Sequence, residues 1–412
     1  MLAVLAVAGV WALMAWDVPN PEVQAPHAPC IAGSWPAWTV IDLRTSAESI
    51  GRLRTEPRAW VPVEAWVDGG PTIRGRLRIK GTRGSLRDIE DDPSLTLVLD
   101  RAPRGFGETT RIHLENGAED ECSVRSAWAA HVFETAGIPC PRQGWGRVLL
   151  NGRSLGLRGV KEGFDAAFAR RSWPGKCVSL GEPRDGADVG DALDWKGKGG
   201  GNGPRGGRED WSRLGDSLRV EGSAGVNGLV DQTKFTRFSA LEILLGHRDG
   251  YSLARNNYRV AWVEGRLEWV PWGMDTLLET PGLTVWPSMA GTMARGVHGA
   301  DEGRQAWHGA LRRWAPGGLD TCQFDAWRGK QEGVLRGRMT GSEWRAWEKN
   351  AARLRSAIGA RAEAVVLELG KGVPGEALAK PGRVSLTGWN AQGVPPDGKA
   401  QAASLGGMEI LE

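Results

Sequence analysis

Histidine and cysteine are scarce in this 412-residue chain, six and five respectively, and neither is spaced to grip a metal ion. Cys30, Cys122, Cys140, Cys177 and Cys322 form no C-x-x-C pair, which argues against a zinc site. His113, His131, His247, His298 and His308 are scattered, so a His-pair metallohydrolase is excluded on the same ground. Charge of one sign is also missing. The 52 Lys and Arg against 49 Asp and Glu leave +3, which gives no pull toward nucleic acid. Tyrosine is nearly absent, 2 against 21 Trp, and the tryptophans read as aromatic core. No internal repeat is visible. The one long apolar run, residues 1–16, is short for a membrane span of ~20 residues. It reads as a signal peptide or an N-terminal membrane anchor, and either implies export. Residues 17–37 are a Pro-rich linker. With export, Cys122 and Cys140 are either a disulfide or two buried thiols, and the sequence leaves both open.

Patterning supplies the fold class, α+β. Apolar residues alternate over 59–67 and 72–80 around Asp68-Gly69-Gly70-Pro71, a hairpin pattern, and 95–99 continues the sheet. A helix is expected over 124–136. A second hairpin, 146–150 with 155–161, turns on Asn151-Gly152, a strong type I′ signal. The stretch 190–228 contains a Gly-rich run at 196–203 that cannot build a core and is expected to be a surface loop. From 231 onward helices dominate, with 235–245, 308–314 and 342–369 at helical spacing. Residues 370–412 are rich in Gly and Pro and read as a flexible tail, with 384–386 adding at most one strand.

Residues 246–279 carry the chemistry. A helix runs into His247-Arg248-Asp249, the amides Asn256 and Asn257 follow, and a hairpin over 258–262 and 267–272 turns on Glu264-Gly265. It leads to Asp275. Two carboxylates with amide oxygens between them suit a divalent cation and a phosphate chain, because hard cations take carboxylate, amide and phosphate oxygens. The same residues also have a purely structural use: Asp, Asn and Gly favour turns, and Asp275 is also a fair helix N-cap.

This stretch resembles the CotH kinase family, named for a spore-coat protein, whose members place W/R-D-G-Y…N-N-Y before a strand pair ending in P-W-D-x-D or P-H-G-x-D. Further pieces match in order. Arg78, Lys80, Gly81, Gly84 and Ser85 resemble R-x-K-G-x-x-G-S; His113, Leu114, Asn116 and Asp120 resemble K-L-H-L-N-N-S-x-x-D. Ala136-Gly137-Ile138-Pro139 and the segment from Leu150 to Asp165 resemble A-G-V-P-A-P-R and L-N-G-x-x-L-G-L-Y…K-E-G-F-D. The likeness spans roughly 38–315. It implies a kinase-like two-lobed domain over 38–369. The N-terminal lobe, about 38–180, would be antiparallel β with a helix. The C-terminal lobe, about 228–369, would be mostly helical and contain the hairpin.

The resemblance also implies roles. Asp249 is the catalytic acid that orients the acceptor hydroxyl. Asn256, Asn257 and Asp275 hold Mg²⁺ or Mn²⁺. Lys80, Arg83 and Ser85 meet the ATP phosphates, and Glu162 pairs with the phosphate-binding cation. The string His247-Arg248-Asp249 is coincidental as a protein-kinase motif, since Ala254 stands where that motif keeps its Asn. Two positions depart from the family. Gly273 replaces the first acid of W-D-x-D, and Asp92 stands where a base is expected. The implied function is an exported, monomeric atypical kinase acting with ATP on Ser or Thr of a surface or coat protein. The alternative is an inactive structural protein or adhesin.

Overall fold

Alternation builds the first half of the chain. In Val61–Val67 the residues Val61, Val63, Ala65 and Val67 point inward while Pro62 and Glu64 face solvent. The computed structural model describes residues 35–81, 85–196, 207–221, 226 and 228–374. Within them seven strands close a barrel: β1 (Trp38–Arg44), β2 (Val61–Val67), β3 (Ile73–Lys80), β4 (Ser94–Leu99), β5 (Arg111–Glu115), β6 (Gln143–Leu150) and β7 (Arg153–Glu162). Their order is β1-β2-β3-β4-β5-β7-β6, and a parallel β1–β6 pairing shuts the ring. Closure leaves no edge strand exposed. Both expected turns are present, with left-handed Asp68 and Gly69 in one and Asn151 and Gly152 in the other.

Ten helices and a second sheet make the fold mixed α+β among the described residues. The second sheet has the order β11-β10-β8-β9, from β8 (Val178–Pro183), β9 (Leu193–Lys196), β10 (Tyr258–Val263) and β11 (Arg266–Pro271). The helices that matter below are α2 (Val124–Thr135), α4 (Gly207–Glu221), α5 (Gln232–Leu244), α7 (Thr292–Gly299), α8 (Asp301–Leu319), α9 (Thr321–Leu335) and α10 (Gly341–Leu369). Barrel residues such as Ile41, Leu77 and Leu97 form one core; the helices and second sheet form a larger one.

The expectation for 190–228 needs correcting. Of the Gly-rich run, 197–203 lies outside the described residues, yet the segments on either side form β9, which ends at Lys196, and α4, whose Trp211, Leu214 and Leu218 enter the large core. Beyond Leu369 the described residues end at 374, and the expected strand at 384–386 lies outside them. So does 1–16. No helix among the described residues is long and apolar enough to cross a membrane. Cys122, Cys140, Cys177 and Cys322 are free thiols. Burial pushes the Cys122 thiol up to about 12 and raises Cys140 as well, so neither is reactive.

Candidate active site

Helix α5 delivers the first acid. It is capped by Asp231, whose carboxylate accepts from Lys234 N, and ends before Gly246, a left-handed position at φ +63°. Inside its last turns lies Glu242, fully buried. A buried carboxylate must be satisfied, and here it accepts from Tyr251 N at 2.9 Å, Ser252 N at 2.9 Å and Ser252 Oγ at 2.6 Å. Gly250 lies against it: a Cβ there would overlap the Glu242 carboxylate and stand 2.7 Å from His247 Nδ1. The segment after Asp249 is thus tied down by an acid that never meets solvent.

Asp249 itself is held by both amides. Asn256 Nδ2 donates to its two oxygens at 2.9 and 3.0 Å, and Asn257 Nδ2 donates to Oδ2 at 2.6 Å. Burial raises the Asp249 pKa, partly opposed by the Asn256 bonds. The backbone here is strained, with Arg255 at φ +53° and Asn257 at φ +35°.

The β10–β11 hairpin delivers the second acid. Glu264 and Gly265 supply its left-handed turn, and the strands run in register from Tyr258 opposite Pro271 to Val263 opposite Arg266. After Trp272 comes Gly273 at φ +54°, then Asp275 in a short 3₁₀ turn, then Leu278 at φ +58°, a strained value for a bulky residue. A Cβ on Gly273 would lie 2.6 Å from Asn257 Nδ2. The space an acid would need at 273 is filled by the amide that holds Asp249. His247 Nε2 lies 3.2 Å from the Gly273 carbonyl, so the two acid-bearing loops are in direct contact.

The barrel supplies the opposite charge. Lys80 Nζ at the end of β3 is 2.6 Å from Glu115 Oε1, and Lys161 Nζ on β7 is 3.8 Å from the same oxygen. Burial alone would raise Glu115, but the two lysines hold it down at about 2. Lys161 is buried, sits 4.2 Å over the Trp272 ring, and feels both Glu115 and Asp275. On the loop after β5, Glu119 is hydrogen-bonded to Asp275. Burial, then the charges of Asp275, Asp249 and Glu279, push its carboxyl up to about 7. Arg125 on α2 balances this side, 2.9 Å from Glu279 Oε1.

The expected residues therefore divide. Asp249, Asn256 and Asn257 are hydrogen-bonded together, Asp275 acts on Asp249 and on Lys161 through its charge, and Lys80 joins this charged cluster through the Glu115 it shares with Lys161. Ser85 is on the loop after β3, and Arg83 lies outside the described residues. Glu162, expected beside the phosphate-binding cation, is buried, bound by Arg171 Nη2 at 2.6 Å, and accepts from Arg142 N at 3.0 Å, while Lys80 pairs with Glu115. Strand geometry explains the difference, because successive side chains of β7 face opposite sides and Lys161 takes the side toward Glu115. The misplaced acid Asp92 has a structural use, pairing with the buried guanidinium of Arg158. His247 has a structural place in this fold, its ring in contact with the Gly273 carbonyl. Lys161, Glu115 and Glu119 escaped sequence reasoning. The available signal was a lysine ending the apolar run of β7.

Among the described residues no three His, Cys, Asp or Glu side chains gather closely enough to hold a metal ion by themselves. Two carboxylates with amide oxygens nevertheless match what Mg²⁺ ordinarily takes from a protein when phosphate oxygens complete its shell.

The profile of the CotH kinase protein family matches residues 77–285, which is 209 of the 412 residues. The chain belongs to the CotH kinase family. Among solved structures it is similar to the proinflammatory kinase CtkA of Helicobacter pylori, with 8% identity and a TM-score of 0.34 over 67% of this chain and 95% of that one. That likeness is too slight to carry an argument. No curated protein matches the chain.

Proposed function

We propose that this is an exported atypical protein kinase that transfers the γ-phosphoryl of ATP to Ser or Thr of a surface or coat protein. The barrel side (about 38–180) and the helical side (about 228–369) act as its two lobes. Membership of the CotH kinase family supports the reaction class. The observation that carries the reading is the charge layout: buried Lys161 is 3.8 Å from Glu115 and feels the charge of Asp275, while Asp249 and Glu119 each feel the charge of Asp275.

Phosphoryl transfer needs positioning and charge neutralisation more than covalent help. Asp249, fixed by two amide donors, orients the acceptor hydroxyl and takes its proton. Its raised pKa makes it a better base than an exposed aspartate. Lys80 and Lys161 offset phosphate charge from the barrel side, with Arg83 and Ser85 as further contacts. Asp275 and the side-chain oxygen of Asn256 would hold the divalent cation, while Asn257, seated against Gly273, serves Asp249. Mg²⁺ or Mn²⁺ there would supply positive charge that offsets the charge developing on the phosphate.

The test is a thermal-shift titration of the purified protein with ATP plus Mg²⁺ or Mn²⁺, followed by transfer of labelled phosphate. Wild type is expected to be stabilised by nucleotide with metal, and Asp249→Ala and Asp275→Ala to lose transfer by at least about 100-fold. No nucleotide shift, with Asp249→Ala behaving as wild type, overturns the kinase and favours an inactive surface structural protein or adhesin.

A further inference from the structure

We infer that Glu242 and His247 form a buried strap that fixes the Asp249 loop to the Asp275 loop, which makes them positioning residues for the reaction proposed above and rests on that reading. Both side chains are fully buried. Glu242 is immobilised by three donors from the segment that follows Asp249. His247 bridges outward from it, with Nδ1 3.4 Å from Glu242 Oε1 and Nε2 3.2 Å from Gly273 O. A carbonyl oxygen only accepts, so Nε2 is the donor. Gly273 begins the turn that presents Asp275, and its missing Cβ seats Asn257, which donates to Asp249.

The contacts close into a ring: Glu242, His247, Gly273, Asn257, Asp249 and back through Tyr251 and Ser252 to Glu242. The His247–Gly273, Asn257–Asp249 and Tyr251/Ser252–Glu242 links are hydrogen bonds; Gly273–Asn257 is packing, His247–Glu242 is a longer approach, and Asp249 joins Tyr251 through the chain itself. Neither acid-bearing loop can drift without breaking one of these contacts. This also accounts for Gly273 in place of an acid, because a carboxylate there would evict Asn257 from Asp249. The strap touches no reacting atom. Its effect is on distance, and a displacement of about 1 Å at a reacting centre costs on the order of 100-fold in rate.

Three versions of the full chain decide the matter: wild type, His247→Phe, which keeps a ring of similar size but no donor, and His247→Gln, which keeps a donor. Amide hydrogen exchange by mass spectrometry is read over 249–257 and 273–279, with barrel peptides as the internal reference. His247→Phe is expected to speed exchange in 273–279 by about tenfold or more with barrel peptides unchanged. It should also lower kcat about 100-fold while KM for ATP stays within about threefold, and His247→Gln should recover most of both. Unchanged exchange in 273–279, or equal losses in the Phe and Gln variants, overturns the strap. Should His247→Phe not fold, selective ¹⁵N-histidine labelling of wild type reads the same bond: a slowly exchanging Nε2 proton on His247 supports it, and a freely exchanging one overturns it. If wild type transfers no phosphate at all, the kinase reading falls while the exchange measurement still decides the strap.

Discussion

At the scale of single residues, His298 shows how burial writes a pH dependence. It lies on α7, 6% exposed, with its ring edge-on to Trp307 at 4.5 Å and Nε2 without a partner. Burial first, and then nearby Arg304, depress its pKa from 6.5 to about 4. The folded chain refuses a proton that the unfolded chain takes, so this contribution to stability is whole above pH 6.5 and is lost as pH falls toward 4. The shift corresponds to at most about 3 kcal/mol. His298→Phe keeps the aromatic contact with Trp307 and removes the titration. Thermal unfolding at pH 7 and pH 5 should show a smaller loss on acidification in the variant than in wild type. The candidate site was only partly legible at this scale. Asp249 and Asp275 stand out in sequence because they frame the hairpin, and Lys80 only through its match to R-x-K-G-x-x-G-S. The Glu115–Lys161 approach does not, because it depends on which strands the barrel brings side by side.

At the scale of elements, α10 shows how a distant helix holds the site. Thr340 and Glu343 form a capping box: the Thr hydroxyl accepts from Glu343 N and the Glu carboxylate accepts from Thr340 N. Further along, Arg361 is fully buried and donates to Ile243 O, Leu244 O, Pro281 O and Leu283 O. It thereby adds donors to carbonyls in the last turn of α5, immediately before the chain turns into His247 and Asp249. Thr340→Ala is expected to cost about 1 kcal/mol, read as a lower Tm, with nucleotide-dependent stabilisation retained. Elements with strong periodicity were legible, including the helix expected over 342–369 and the Asn151-Gly152 hairpin. Helix α4 was not, since the Gly-rich run before it drew the whole region into a loop reading. Its apolar positions 211, 214 and 218 carry helical spacing that a narrower window would have separated.

Over the whole molecule, the charged cluster exists only because two cores are joined. Lys80, Glu115 and Lys161 come from the barrel, while Asp249 and Asp275 come from the helical side with its second sheet. Strand β6 belongs to both: Val148 and Leu150 pack inside the barrel, and Trp145 packs into the large core. The Trp145 ring lies 6.5 Å from both Trp327 on α9 and Trp347 on α10, and its Nε1 donates to Cys122 O at 2.6 Å. Arg147, two residues on, reaches Glu343 at 2.9 Å. This joint is invisible to alternation rules, which see β6 only as a strand. Chains of this size often unfold in steps, but a shared strand with a buried tryptophan opposes separate melting. Scanning calorimetry of wild type should therefore give one cooperative transition. Trp145→Ala removes a large buried side chain at a cost of about 3–5 kcal/mol and takes away the joint. The expected outcome is a lower onset with the single peak resolved into two, the barrel and the helical part melting apart. A single peak merely displaced would place the coupling elsewhere, in ion pairs such as Arg147–Glu343 and Arg125–Glu279. In the two-peak case, nucleotide with metal should bind only below the first transition, because the lysines come from the barrel while Asp249 and Asp275 come from the helical part.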